Sequence, residues 1–380
     1  VTTNAIDTRG GAAGDGGVSV SAGTGIVVAG ATDSGNGSIN LSTSGDIGGA
    51  GSLTSGSNVV LSSSGGSIGS VGTPLAVTAP SVQLNASRSG VGGDVHASLT
   101  GTTALGVNAD NGFTITSSSD LASLDLVTRG DGVGATSLST ATQSFGFARN
   151  GSALDISTVA STSPLSNLAI TVNAGDIRVI GTGTSSIAAD GLSLTASGTL
   201  TLDGGSSAIV LSNVSQTFRG TNVLVNGQGA LTASAAQEFR SQGGAGDVEF
   251  RASGGAIAVN ATDQTLASTR DILLQGGTAA NEGVTIAATN SQSFSANRHI
   301  NLFGGSAADT AVAVTLTGSG DQDFASSGGS ISLLAGSGDR ASVSVTASGA
   351  GQQTFLAAGD IILSGGGAAG VTSNSKVLLS

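Results

Sequence analysis

The chain has no cysteine, methionine, tryptophan or tyrosine, and its single lysine is Lys376. Without cysteine, stability does not rest on disulfides, a condition compatible with a secreted bacterial protein. Aromatic residues make up 3 % of the 380 residues. Wide globular cores are filled by large side chains. A chain whose apolar content is mostly Val, Ala, Ile and Leu, set among Ser, Thr and 63 Gly, is suited to a narrow core instead. The usual expectation of two or three globular domains for this length therefore does not apply.

Charge is also scarce, at 9 %, and the net charge is −12. Scattered arginines in an acidic chain exclude nucleic-acid binding, which needs clustered positive charge and commonly aromatic platforms. Abundant Gly and Ser suggest disorder. The positive mean hydropathy, the low charge and the alternation of apolar residues argue for a folded chain. No apolar run is long enough to span a membrane. The chain begins at Val1 without a signal peptide, so the expectation is a mature fragment or an internal segment of a longer protein.

What is present is a repeat. Gln-x-Phe recurs at Gln216/Phe218, Gln237/Phe239, Gln292/Phe294, Gln322/Phe324 and Gln353/Phe355, with Gln264/Leu266 in the remaining place. Successive Phe or Leu positions are 21, 27, 28, 30 and 31 residues apart. A second apolar pair follows the later copies, at Ile272/Leu274, Ile300/Leu302, Ile331/Leu333 and Ile361/Leu363. A third follows at Val284/Ile286, Val312/Val314 and Val343/Val345. The i, i+2 spacing is that of a strand with one face buried. Gly-rich turns such as Gly304-Gly305, Gly328-Gly329 and Gly365-Gly366-Gly367 separate the pairs.

Three strands and three corners per repeat predict an all-β fold, a right-handed parallel β-helix with three sides. One coil cannot bury its own apolar face, whereas stacked coils bury a continuous one. Helices are disfavoured by the Gly and β-branched content and by the lack of an i, i+3, i+4 stripe. Shorter coils are marked by Ile39/Leu41, Val59/Leu61 and Val82/Leu84, with Gly45-Asp46-Ile47-Gly48 and Gly66-Ser67-Ile68-Gly69 between them. The expected organisation is a short-coil solenoid over 1–115, an irregular or loop-bearing segment over 116–168 containing Phe145, Phe147 and Pro164, and a longer-coil solenoid over 169–380. At about 20 to 30 residues per coil this amounts to roughly 13 to 18 coils and a rod of roughly 60–90 Å. Neither end carries a capping element, which fits continuation into more coils.

The runs Gly66-Ser67-Ile68-Gly69, Pro74-Leu75-Ala76-Val77 and Ser81-Val82-Gln83-Leu84-Asn85-Ala86, with Ala358-Gly359-Asp360-Ile361-Ile362-Leu363-Ser364-Gly365-Gly366, resemble the repeat region of filamentous-haemagglutinin-like adhesins, the large exoproteins of two-partner secretion. The resemblance implies export through an outer-membrane transporter and display as a fibre on a bacterial surface. It also implies attachment, aggregation or biofilm formation through a receptor on a host cell, a neighbouring cell or the matrix. The Asn-Pro motifs of that family's secretion domain are absent. The expected function is thus an adhesin stalk. The alternative is a self-associating surface-layer, sheath or matrix fibre, and a minor one a β-helix polysaccharide-degrading enzyme.

On a regular strand Gln and Phe point the same way. An inward Phe brings its Gln inward, where each amide can bond to the amide of the next coil and offset the cost of burial. A bend that sends Gln outward is the alternative. Arg129-Gly130-Asp131 is the tripeptide of integrin ligands and a candidate adhesion motif in the irregular segment. No catalytic residue or cofactor is expected. The acids are mostly isolated at corners, as at Asp176, Asp247, Asp271 and Asp360, and the nearest pair, Asp321/Asp323, flanks Gln322. His96 and His299 lie far apart in sequence, no thiolate exists, and the Gly-Gly-x-Gly-x-Asp calcium repeat is missing, so no metal site is expected. An ice-binding surface would need outward Thr-x-Thr rows, and Thr is not in register.

Overall fold

The computed structural model describes residues 1–10, 16–87, 93–184, 187–366 and 375–380. Among them every regular element is a strand, and the strands stack in parallel as a β-solenoid of about 13 turns. The chain divides into two compact units, Val1–Gly175 with Ala188–Asp190, and Asp176–Ile187 with Gly191–Ser380.

In the first unit, the strands Val18–Ala22, Ile39–Thr43, Asn58–Ser63, Ser81–Ala86, Ala104–Ala109, Ser123–Thr128 and Leu165–Val172 form one face. Their register places Val18, Ile39, Val59, Val82, Leu105, Leu124 and Leu168 in one inward column. A second column runs Ile26, Ile47, Ile68, Val95 and Phe113. Alternate residues point outward, as strand geometry requires. The 44-residue step from Leu124 to Leu168 holds the irregular segment. There Ser144–Asn150 and Ala153–Ala160 pair as an antiparallel hairpin, and Phe147 sets its ring edge-on to Phe113 at 6.1 Å.

The second unit has three faces in clear register. One inward column is Ile177, Leu200, Val223, Val248, Ile272, Ile300, Ile331 and Ile361. Another is Ile209, Gly229, Ile257, Val284, Val312, Val343 and Val377. The third carries Gln-x-Phe. Most members of these columns are fully buried, each large aliphatic contributing about 1.5–3 kcal/mol. Some corners bend without interrupting the strand, so Val248–Ser268 is a single 21-residue strand. Gly304-Gly305 and Gly328-Gly329 fall between strands as expected, while Gly367 of the last turn lies outside the described residues. Close stacking of corners explains part of the glycine content. A Cβ on Gly318 would lie 1.7 Å from the Thr289 carbonyl oxygen.

Phe rings line the core of this unit coil after coil, buried except at Phe355, which is partly exposed. Phe218, Phe239, Phe294, Phe324 and Phe355 share a column, and Leu266 replaces Phe in the coil where Phe250 enters from the neighbouring face. Phe250 meets Phe239 edge-on at 5.0 Å, while Phe294, Phe324 and Phe355 stack nearly parallel at 4.5 and 4.9 Å. The substitution keeps the volume of the coil's cross-section, which close packing demands.

Candidate functional site: two polar ladders and a self-paired loop

Gln216, Gln237, Gln264, Gln292 and Gln322 are buried inside the second unit, and Gln353 is partly so. Each amide donates through Nε2 to Oε1 of the preceding coil. Gln237 reaches Gln216 at 2.6 Å, Gln264 reaches Gln237 at 3.0 Å, Gln292 reaches Gln264 at 2.8 Å, Gln322 reaches Gln292 at 2.7 Å and Gln353 reaches Gln322 at 2.7 Å. At the lower end the column continues with Leu192, so Gln216 has no amide below it. Its Nε2 donates to Asn213 Oδ1 at 2.8 Å and to the Thr232 carbonyl at 3.1 Å instead. The ladder is closed by a polar residue where the repeat stops, because a buried unpaired N–H is costly.

A second ladder runs along one corner, at the position just before the first apolar residue of each pair. Its members are Asp176, Thr199, Asn222, Asp247, Asp271, His299, Ser330 and Asp360. The Thr199 N–H donates to Asp176 Oδ1 at 2.7 Å, and Asn222 Nδ2 donates to Thr199 Oγ1 at 3.4 Å. From there each backbone N–H donates to the side chain one coil below: Asp247 to Asn222, Asp271 to Asp247, His299 to Asp271, Ser330 to His299 Nδ1 and Asp360 to Ser330 Oγ, all at 3.0–3.1 Å. The four aspartates that look isolated in sequence thus belong to one column. Any short acceptor serves there, so the column shares a chemistry without sharing a residue.

Arginines strengthen two rungs. Arg270 forks onto both Asp247 oxygens, and Arg298 onto both Asp271 oxygens at 3.1 and 2.5 Å. Burial, the largest influence on Asp271, pushes its carboxyl up. Hydrogen bonds from Arg298 and the His299 N–H outweigh burial and hold it below the usual range. Carboxylates held in this way serve cohesion between coils. Asp321 is used similarly, accepting the Gln352 N–H at 2.8 Å. Among the described residues, no three His, Asp or Glu side chains stand close enough together to hold a metal ion, and no helix is long and apolar enough to cross a membrane.

The Arg129-Gly130-Asp131 loop belongs to the first unit. Arg129 binds both oxygens of Asp131, at 3.0 and 2.9 Å, and this contact holds the Asp131 carboxyl below its usual range. The two charged groups of the tripeptide therefore face one another rather than being presented separately. Arg149, on the hairpin strand Ser144–Asn150, anchors the loop from beneath. It donates to the Arg129 carbonyl, to the Asn111 carbonyl at 2.6 Å and to Thr128 Oγ1 at 2.8 Å. Asp120 is likewise absorbed locally, with its carboxyl lowered from 3.8 to about 2 by hydrogen bonds from the Thr142 hydroxyl and N–H, Thr140 and Gln143. Comparison with protein-family models, characterised proteins and solved structures finds no match for this chain.

Proposed function

We propose that this solenoid is the structural stalk of a secreted bacterial surface adhesin. The observation that carries the reading is the use made of polar side chains. Amides, carboxylates and arginines of successive coils bind the coil above or below, an arrangement suited to holding a shape and carrying load between a cell and a receptor. The family resemblance of the repeats supplies export and surface display as expectations, and fold alone supplies no activity. A second reading, lateral association into a matrix fibre, is favoured by one face of the second unit. Its outward columns Ala230, Ala258, Thr285, Ala313, Ser344 and Thr232, Asn260, Ala287, Thr315, Thr346 carry no charge.

The stalk reading is tested by excising one coil. Gln292 and Gln322 occupy the same place on successive rungs, 30 residues apart, so deleting residues 292–321 rejoins the repeat in register. A stalk shortened by one coil still folds and still supports attachment of the producing cell. Loss of attachment with folding and export intact would locate the binding function in the coils themselves and overturn the stalk assignment.

A further inference from the structure

Phe303 is the one phenylalanine of the second unit that takes an outward strand position; the others belong to inward columns. Its face is built by the strands Ile272–Gln275, Ile300–Phe303, Ile331–Leu334 and Ile361–Ser364. Their register stacks the outward residues in two columns. One is Leu273, Asn301, Ser332 and Ile362, and the other is Gln275, Phe303, Leu334 and Ser364. Leu273, Phe303 and Leu334 are half-buried, and Ile362 is 42 % exposed. None of these residues is charged. One coil below Leu273 and Gln275, the ion pair of Glu249 and Arg251 ends the uncharged patch.

The order of residues in the patch identifies the partner. Up the coils, the first column runs apolar, polar, polar, apolar, and the second runs polar, apolar, apolar, polar. Both sequences are the same from either end. A two-fold axis parallel to the strands, midway between the coils of Phe303 and Leu334, therefore maps the patch onto a chemically equivalent one. Two copies laid face to face about that axis set Phe303 of each against Leu334 of the other, and Leu273 against Ile362. Asn301 then meets Ser332, and Gln275 meets Ser364. The axis also brings Asp360 to the corner that holds Asp271, where Arg298 supplies the opposite charge. With the solenoids parallel instead, Phe303 would oppose Asn301 and Leu334 would oppose Ser332, apolar on polar. The pattern thus selects the antiparallel arrangement.

We propose that this face binds a second copy of the chain, as an antiparallel pair with two-fold symmetry. Apolar groups rimmed by polar ones mark protein contacts, and an aromatic side chain is a common anchor at their centre. Size sets the strength. Four coils about 4.8 Å apart and four residues of about 3.3 Å each cover roughly 19 by 13 Å. A stable interface takes about 800 Å² per partner, so a single contact is weak, with a dissociation constant of about 0.1–1 mM. Many copies on one surface turn weak contacts into firm attachment. Antiparallel pairing is the geometry of stalks that reach toward one another from opposing cells. That consequence rests on the stalk reading, whereas the pairing itself does not and is tested on the purified chain.

Sedimentation equilibrium of the full chain at concentrations up to about 1 mM reads out the pairing. The expected result is a concentration-dependent dimer, weakened about tenfold or more by Phe303→Glu and separately by Leu334→Lys. Mixing these two variants restores association. The introduced carboxylate of one chain then faces the introduced amine of the other, and the second Phe303–Leu334 contact of the pair is native. Leu273→Glu with Ile362→Lys repeats the test at independent positions. All four side chains point outward, so thermal midpoints stay near that of the wild type. A wild type that remains monomeric throughout would overturn the proposal. So would unchanged dimerisation of the folded variants, or no recovery when complementary variants are mixed.

Discussion

Replacing one glutamine of the buried ladder by leucine breaks two hydrogen bonds at once. In Gln292→Leu the side chain keeps its approximate volume, but Gln264 Oε1 loses its donor at 2.8 Å and Gln322 Nε2 loses its acceptor at 2.7 Å. Both orphaned groups lie in side chains that are at most 1 % exposed. Each costs about 1–3 kcal/mol, and burial of the added apolar surface returns about 1 kcal/mol, giving a net loss of about 2–4 kcal/mol. The stronger prediction concerns the double variant Gln292→Leu/Gln322→Leu. It again breaks the ladder at only two ends, Gln264 Oε1 and Gln353 Nε2, the latter partly exposed and also donating to the Val345 carbonyl at 3.4 Å, so its cost stays near or below that of the single variant instead of doubling. The fold contains one Leu-to-Gln junction, Leu192 beneath Gln216, and there Asn213 and the Thr232 carbonyl take up the freed Nε2. Urea unfolding followed by circular dichroism measures both variants, and the coupling between neighbouring rungs emerges from the double-mutant cycle. Additive losses would refute the ladder as a cooperative unit. A Gln292→Leu protein as stable as wild type would refute its energetic role altogether.

Other expected outcomes follow from single features. Leu266→Phe places two large rings in the coil that holds Phe250 and lowers stability by about 1–3 kcal/mol, whereas Phe250→Leu/Leu266→Phe restores most of it; thermal melts of the three proteins decide this. His299→Ala removes the acceptor of the Ser330 N–H and costs about 1–2 kcal/mol, while His299→Asn retains most of the stability in the same assay. Asp120 has a folded-state carboxyl lowered to about 2 from an ordinary 3.8. Its contribution is therefore present above about pH 4 and lost as the pH falls toward 2. The midpoint difference between wild type and Asp120→Asn shrinks over that window, and a difference independent of pH would contradict the assignment.

The inward columns were legible in the sequence because their chemistry is narrow. Ile, Leu, Val and Phe supply most of the inward columns, and Gln combines the length and the paired donor and acceptor that a buried ladder needs, so the same letters return at successive coils. The corner ladder was not legible, although four of its members stood out as lone aspartates. Carboxylate, amide, hydroxyl and imidazole all accept one N–H, and Asp247, Asn222, Ser330 and His299 do so in turn. The remaining signal was positional, an acceptor directly before the first residue of each apolar pair. Phe250 escaped the Gln-x-Phe pattern because volume is conserved around a coil and not along a column.

Electron cryotomography of the intact protein on its producing cell bears directly on the proposed role as a protruding stalk. Isolated fibres projecting from the surface, anchored at one end, are expected. An ordered lattice or continuous sheath built from laterally packed solenoids would contradict that role.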